Sequence, residues 1–288
     1  MNTQNSSIES AGTRFPRLFL AHGAPDLVTA DIPARKFLTD AGQRIQKPAG
    51  IVVISAHWCS GELQITGSSN HETIHDFNGF PNHLYQLFYK AHGAEWLNNK
   101  LVDTLDAAGY TASPGSRKGL DHGAWVPLSL MFPEADVPIV QLSLLKTASP
   151  KFHFEVGQSL EKLRSEGILV IGSGGLVHNL GSLKSEGLPP DHWANSFDSW
   201  LYEKIFDRDL ESLFNYEKTS EFGSYAHPTS EHLMPLFVSM GAGNSDWRPH
   251  RIHHSFSYGN LSMASYSFGA PQNIFSNETP SAFEQHAA

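Results

Sequence analysis

The chain has 288 residues, 40% of them hydrophobic, which is enough for one large α/β core or two smaller ones. The formal net charge is −9 with neutral histidines and there is no Lys/Arg cluster, which argues against a nucleic-acid or anionic membrane surface. Cys59 is the only cysteine, which excludes an intrachain disulfide framework and cysteine-rich zinc modules and fits a reducing cytoplasm.

The two ends of the chain differ in composition from its middle. Residues 1–14 are polar, lack the apolar run of a signal peptide, and are expected to form a disordered lead. Residues 270–288 are expected to form a flexible polar tail. No run of 18 apolar residues occurs, so no membrane span is expected. The middle contains no long linker and no fixed-period repeat, so residues 15–269 are predicted to form a single catalytic domain.

Short apolar runs predict strands that are buried on both faces of a sheet. They are Leu18–Ala21, Ile51–Ala56, Pro138–Leu144 and Ile168–Gly172, each apolar on consecutive residues. The alternating segment Ile252–Phe268 predicts one or two further strands near the end of the sheet.

Helical patterns lie between these strands. They cover Leu84–Ala108, Pro150–Glu166, Trp193–Phe214 and a last apolar segment that begins near His232. Ser149 is predicted to cap the second helix and Gly167 to end it, and Thr229 or Ser230 to cap the last one. Alternating strands and helices predict an α/β domain whose mostly parallel sheet is flanked by helices on both faces.

Four histidines each lie where an apolar run stops. His22 ends LFLAHGAP, His57 ends IVVISAHW, His178 follows ILVIGSGG, and His232 opens the last apolar helix. Functional groups in open α/β sheets lie at the carboxyl ends of the strands, and histidine is the commonest metal ligand. We therefore predict a metal site at the carboxyl edge of the strands, assembled by the fold. The alternative for any one of these histidines is a polar strand cap bonded to the backbone.

A fifth histidine, His122, is flanked by Asp121 and Gly123 in a loop-like sequence. Such a position suits a general acid–base or a substrate-anchoring residue, and it equally suits an ordinary loop histidine. The glycines of Gly172–Gly175 are expected to let the backbone bend sharply and approach a ligand closely.

Three more residues are predicted to contact the substrate. His75 and Asp76 lie in an aromatic loop containing Gly and Pro, which would cover an aromatic substrate or would simply pack at the surface. His227 precedes Pro228 and competes with His232 as a ligand.

Taken together, these motifs resemble the class III extradiol ring-cleavage dioxygenases. The resemblance is to the DOPA 4,5-dioxygenase-like branch, which is homologous to the catalytic subunit of protocatechuate 4,5-dioxygenase. It covers Phe15 to Phe268 and rests on FLAHGAP, VVISAHW, IHDFNGFP, LDHGAWVPLSLMFP, DVPIVQLSL, GSGGLVHNL and HPTSEHLMPLFVSMGA, which occur in the family's order. One departure bears on the substrate, because Ala24 stands where the family often has serine.

The resemblance implies one divalent metal ion, Fe(II) for ring cleavage or Zn(II) as found in this branch. The implied ligands are His22, His57 and His232, with His178 as a fourth close histidine. In the protocatechuate-type relatives two histidines and a glutamate hold Fe(II), and the histidine matching His178 is the catalytic base. His178 is thus implied as either ligand or base, and His122 as a catalytic histidine near the substrate.

The implied reaction is insertion of O2 into the ring of a catechol, DOPA-like or related, adjacent to the diol. The expected partners are the catechol and O2, without nucleic acid or membrane, in a cytoplasmic monomer or small homo-oligomer. Two alternatives remain open from the sequence. One is a zinc hydrolase that uses the same histidines to activate water, and the other is a non-catalytic metal-binding relative.

Overall fold

A computed structural model describes residues 15–243 and 248–269 of the chain. The predicted lead, 1–14, and the predicted tail, 270–288, lie outside the described residues, so the domain boundaries stay a prediction. Within the described ranges, no helix combines the length and the apolar character that crossing a bilayer requires.

A six-stranded sheet forms the centre of the fold. Its strands are β1 (Arg17–Ala21), β2 (Gly50–Ser55), β3 (Ile139–Gln141), β4 (Ile168–Gly174), β5 (Pro249–His253) and β6 (Ser265–Phe268). Their spatial order is β5-β6-β1-β4-β2-β3. The pairs β1–β4, β4–β2 and β2–β3 are parallel, whereas β6 is antiparallel to both of its neighbours. The predicted mostly parallel sheet is therefore confirmed.

Helices and short strand pairs complete the described structure. The helices are α1 (Pro33–Arg44), α2 (Glu95–Asp106), α3 (His122–Met131), α4 (Pro150–Ser159), α5 (His192–Asp207), α6 (Leu210–Phe214), α7 (Tyr216–Thr219), α8 (Gly223–Ala226) and α9 (Met234–Ala242). Short 3-10 helices cover Pro25–Val28, Asn82–Gln86, Leu160–Glu166 and Leu180–Ser182. The short pairs join Cys59–Ser60 to Leu144–Leu145, Leu63–Ile65 to Ala112–Pro114, Glu72–Thr73 to Gly119–Leu120, and Phe256–Ser257 to Leu261–Ser262.

Successive residues of the central strands point to opposite faces of the sheet, and both faces are buried. Leu18 and Leu20 of β1 pack in one core with residues of α1 and α3. Phe19, between them, packs in the other core with residues of α2, α4 and α9. Because each face is covered, both side-chain sets must be apolar, which explains the unbroken apolar runs in the sequence.

Two helix boundaries follow the sequence signals. The Ser149 hydroxyl accepts a hydrogen bond from the Phe152 amide at 3.2 Å, so Ser149 caps α4 as predicted. Gly167 ends the following 3-10 turn with a left-handed φ of 75°, a conformation that glycine adopts without strain.

Other helix predictions were wrong in their extent. Helix α2 begins only at Glu95, whereas the pattern predicted a helix from Leu84. The segment predicted as Trp193–Phe214 is broken at Arg208, whose φ is 57°. Neither Thr229 nor Ser230 caps α9, because these residues belong to a turn that precedes the helix and the N-cap position is Leu233.

His153 on α4 provides a test of pH-dependent stability. It is buried, with Nδ1 donating to the Ser149 carbonyl at 3.0 Å and Nε2 accepting from the Leu145 amide at 3.3 Å, an arrangement that requires the neutral ring. Burial lowers the pKa of His153 to about 4, although the bond to Ser149 opposes this. The unfolded chain therefore takes up the proton first as the pH falls. About 3 kcal/mol of stability, present above pH 6.5, is lost as the pH falls towards 4.

We expect the variant His153→Gln to show a flatter dependence of unfolding free energy on pH between 6.5 and 4, by up to one proton. Urea denaturation at stepped pH measures this slope. The exposed His83 supplies the control, since His83→Gln makes the same substitution at a side chain that is not buried. Equal slopes for wild type and His153→Gln would contradict the assignment.

Candidate metal centre

The ends of neighbouring strands bring the first two predicted histidines together. His22 follows β1 directly and donates its backbone amide to the Gly174 carbonyl, at the end of β4, at 3.1 Å. His57 lies two residues beyond β2, on the other side of β4. Both imidazoles therefore lie at the carboxyl edge of the sheet, at its centre.

Three imidazole nitrogens converge at this edge. The Nε2 atom of His57 lies 3.1 Å from Nε2 of His22 and 3.3 Å from Nε2 of His232. Nitrogen ligands 2.0–2.1 Å from one metal ion lie about 2.9–3.4 Å from each other in octahedral or tetrahedral geometry. Both distances from His57 Nε2 thus fit a pair of nitrogens that share one ion.

The opposite ring nitrogens show which tautomer is present. The Ser173 hydroxyl donates to the Gly123 carbonyl and so accepts from Nδ1 of His22 at 3.0 Å. Nδ1 of His232 donates to a carboxylate oxygen of Glu231 at 3.0 Å. With the hydrogen on Nδ1, the Nε2 lone pairs of His22 and His232 face the common point, as in metal sites whose ligands are oriented by oxygen acceptors.

The surroundings keep these rings neutral. Burial, followed by the neighbouring imidazoles, holds the pKa of His22 and of His232 well below the usual 6.5. Burial and the proximity of His122 lower the pKa of His57 to about 4. Because a metal binds neutral imidazole, the three groups are ready to bind an ion at pH 7 without releasing protons.

His122 approaches the cluster from a helix, and the expectation of a loop was wrong. It is the first residue of α3, and Asp121 caps that helix by accepting from the Ala124 amide at 3.2 Å. Asp76 Oδ1 accepts from Nδ1 of His122 at 2.9 Å and from its backbone amide at 3.0 Å. Burial would raise the pKa of Asp76, but these bonds outweigh it and lower that pKa to about 2. Asp76 is therefore an anion that holds the orientation of the His122 ring through Nδ1.

The geometry brings His122 close to His22 and His57. One ligand atom from each of His22, His57 and His122 can be chosen so that all lie within 4.8 Å of one another. The ring centroid of His122 is 3.9 Å from that of His57. His122 thus lies beside the converging nitrogens of the cluster.

His178 meets the cluster in a different way. Its ring stacks on that of His232, with centroids 3.4 Å apart and planes 8° from parallel. Lone pairs lie in the ring plane, so the lone pairs of these two rings lie in separate, nearly parallel planes. Burial lowers the pKa of His178 to about 4, which keeps this half-buried ring neutral as well.

The glycines before His178 have a different role from the one expected. Gly172 and Gly174 lie within β4, and a Cβ atom on either would be 2.2 Å from a backbone oxygen, that of Pro235 or of His232 respectively. These two glycines allow β4 to approach Pro235 at the start of α9 and His232 just before that helix. It is this approach that places His232 beside the strand, where the Gly175 amide donates to its carbonyl at 2.9 Å.

An open cavity of about 820 Å³ lies over the histidines. His57, His122, His178 and His232 line it together with Asp76. Its other walls are largely apolar and include Phe77, Phe80, Leu180, Leu183 and Leu261. The cavity therefore offers a planar apolar ring a place against imidazole rings.

Two residues predicted to contact the substrate lie elsewhere. His75 donates Nε2 to the Leu87 carbonyl at 3.0 Å and packs among aromatic rings outside the lining of this cavity. His227 is buried, donates Nε2 to the Leu176 carbonyl at 2.8 Å, and lines a neighbouring cavity. Of the three residues in that prediction, the structure brings only Asp76 to the histidines.

Sequence reasoning missed the residues that orient the rings. Ser173 lies within the glycine-rich stretch Gly172–Gly175, and Glu231 directly precedes His232. Both accept hydrogen bonds from histidine Nδ1 atoms. Adjacency to His232 was a usable signal for Glu231, whereas Ser173 is 151 positions from His22 and gave none.

Comparison with known proteins extends over the whole site. The family model described as the catalytic LigB subunit of aromatic ring-opening dioxygenase matches residues 18–269, a range that includes all five histidines of the cluster. The 4,5-DOPA dioxygenase extradiol of Beta vulgaris is 40% identical over 256 residues, which cover 87% of this chain and 95% of the relative.

A bacterial relative and a solved structure agree with this match. The 4,5-DOPA dioxygenase extradiol of Escherichia coli K12 is 37% identical over 264 residues, covering 90% of this chain and 96% of the relative. A crystal structure of an uncharacterized protein from the same organism superimposes with a TM-score of 0.75 at 33% identity, covering 88% of this chain and 99% of that one.

Proposed function

Since the chain belongs to the LigB family of aromatic ring-opening dioxygenases, we propose that its reaction takes place at one metal ion held by His22, His57 and His232. The chain is an extradiol dioxygenase, which inserts O2 into the ring of a catechol adjacent to the diol. The resemblance inferred from the sequence motifs is thereby confirmed.

One observation carries the proposed ligand set. His57 Nε2 lies 3.1 Å from His22 Nε2 and 3.3 Å from His232 Nε2, and the Nδ1 atoms of His22 and His232 donate to oxygen atoms. Fe(II) bound there would supply a redox-active centre with open positions for both catechol and O2. We favour Fe(II) over Zn(II) as the catalytic ion because zinc has no redox chemistry.

The residues around this centre handle the protons of the catechol. The Nδ1 hydrogen of His122 is engaged by Asp76, which leaves Nε2 as a lone pair able to take a hydroxyl proton. Asp76 is anionic and would stabilise the imidazolium that forms, as the aspartate of a catalytic triad does for its histidine. We therefore assign His122 as a catalytic base.

We assign His178 as a second proton-transfer group in preference to a fourth ligand. Its ring is parallel to that of His232, so the lone pairs of the two rings lie in separate parallel planes. Its position in the cavity lining gives it access to a substrate. A neutral ring kept so by burial can accept the proton that the second hydroxyl releases.

We propose a DOPA-like catechol as the substrate class. Relatives from Beta vulgaris and Portulaca grandiflora carry the name 4,5-DOPA dioxygenase extradiol. The cavity of about 820 Å³ leaves room for a ring substituent beside the diol. The catechol and O2 would be the only partners required, in a cytoplasmic monomer or small homo-oligomer. Neither the zinc hydrolase nor the non-catalytic alternative has an observation in its favour.

Oxygen uptake with defined metals tests this function. Protein loaded anaerobically with Fe(II) should consume one O2 per catechol and form a yellow ring-opened product, and the same protein loaded with Zn(II) should not. A panel that includes DOPA and simpler catechols would rank the substituents. Equal catechol consumption by both metal forms, or hydrolysis of an ester by the zinc form alone, would contradict the proposal.

A further inference from the structure

Beneath the histidine cluster lies a buried polar network centred on the carboxylate of Asp121. Its Oδ1 accepts hydrogen bonds from the Ser55 hydroxyl at 2.6 Å and the Ala124 amide at 3.2 Å. Its Oδ2 accepts from Arg117 Nη1 at 2.7 Å and Gln141 Nε2 at 2.6 Å. Asp121 is fully buried, and a buried carboxylate requires such a set of donors and a counter-ion.

The network reaches both peptide groups of His57. The Ser55 hydroxyl, which donates to Asp121, accepts from the His57 amide at 3.2 Å. Arg117 Nη2 donates to the His57 carbonyl at 3.0 Å, while Nη1 of the same guanidinium bonds Asp121. Because His57 lies beyond the end of β2, these two bonds replace the strand pairing that holds the residues before it.

The same carboxylate also fixes the start of α3. Asp121 is the N-cap of this helix, and His122 is its first residue. Gly123 follows, and a Cβ atom there would lie 2.4 Å from the Ser55 hydroxyl and 2.9 Å from the His57 ring. The start of α3 is thus packed directly against Ser55 and His57, and Asp121 bonds to both segments.

We propose that Arg117 and Asp121 are positioning residues that set His57, as a metal ligand, relative to His122, as a proton acceptor. The proposal rests on the proposed function for the role of His122, and on the geometry alone for the placement of His57. Neither residue touches the cavity. Both act through the histidines they hold, as oxygen and backbone partners behind metal ligands do.

Arginine is required at this position because one guanidinium serves two acceptors. Its two terminal nitrogens reach Asp121 and the His57 carbonyl separately, and its plane lies over Trp58 with 5.1 Å from Cζ to the ring centroid. A lysine ammonium keeps the charge opposite Asp121 but lacks the rigid planar fork. Lysine therefore separates charge compensation, which stabilises the fold, from the positioning of His57.

The test compares Arg117→Lys and Arg117→Met with wild type. For each protein, thermal unfolding of the metal-free form, metal dissociation constants by chelator competition, and kcat and KM are measured. We expect Arg117→Lys to unfold within a few degrees of wild type and to bind metal roughly 10–100-fold more weakly. Its kcat should fall by a larger factor than its KM rises. Arg117→Met should lose thermal stability as well, because it leaves Asp121 without its counter-ion.

Lys204→Met provides the matched control. It removes an ion pair of similar length, Lys204 to Asp209 at 2.8 Å, that has no contact with the histidines. Its metal affinity and kcat should equal those of wild type.

Wild-type metal affinity and kcat in Arg117→Lys would overturn the proposal. Arg117 and Asp121 would then be an ion pair that stabilises the fold only. If Arg117→Lys does not fold, Ser55→Ala tests the same point from the amide side of His57, and unchanged metal affinity there has the same meaning. The metal-affinity measurement does not depend on catalysis. If Arg117→Lys binds metal more weakly than wild type but wild type cleaves no catechol, the proposed function is refuted. The positioning of His57 by Arg117 and Asp121 is then still supported.

Discussion

Replacing His57 with alanine is expected to abolish stoichiometric metal binding while the fold survives. His57 Nε2 lies 3.1 Å from His22 Nε2 and 3.3 Å from His232 Nε2, so it is the nitrogen close to both of the others. Its loss would leave only two of the three proposed ligands. The ring is half-buried at the cavity floor and takes no part in the sheet, so truncation adds space to an existing cavity. Elemental analysis after gel filtration in Fe(II) or Zn(II) measures the occupancy, and near-ultraviolet circular dichroism checks the fold.

The control for this change is an exposed histidine away from the cavity. His83→Ala removes an imidazole of the same size and should keep full occupancy. Full occupancy in His57→Ala would show that His57 is not a ligand. The site would then consist of other members of the cluster, such as His178 and Glu231 with His232, whose ligand atoms also lie within 4.8 Å of one another.

The strands of the sheet were predictable because each carries its signal locally. In β1, β2 and β4 every residue is buried, so an unbroken apolar run identifies each strand without knowledge of its partners. The helix limits were less predictable, because the breaks depend on single backbone angles. Arg208 adopts a φ of 57° and separates α5 from α6, and no residue type that favours this conformation stands there.

The site was predictable in part, for a related reason. His22 and His57 follow strands, and strand ends are visible in the sequence. The groups that orient them are brought near only by the packed fold. Ser173 is 151 positions from His22, and Arg117, which bonds the His57 carbonyl, is 60 positions from His57. Contacts of this kind depend on strand register and helix placement, which the pattern of apolar residues along the chain does not specify.

Replacing His122 with phenylalanine is expected to separate catalysis from metal binding. Phenylalanine keeps most of the ring volume at the start of α3 but removes both the Nδ1 hydrogen that Asp76 binds and the Nε2 lone pair. Metal content should stay near that of wild type, since the three converging nitrogens belong to other residues. Catechol turnover should fall by roughly 10²–10⁴-fold, the range typical of a lost general acid or base.

The measurement pairs elemental analysis with the single-turnover rate of ring opening by the Fe(II) form. Phe77→Leu serves as the comparison, because Phe77 lines the same cavity and contacts the His122 ring without any proton to exchange, so it should change KM more than kcat. Loss of metal in His122→Phe would make His122 a ligand, a result that its proximity to His22 and His57 allows. Unchanged turnover would make it a structural residue and leave His178, whose ring burial keeps neutral in the cavity lining, as the base.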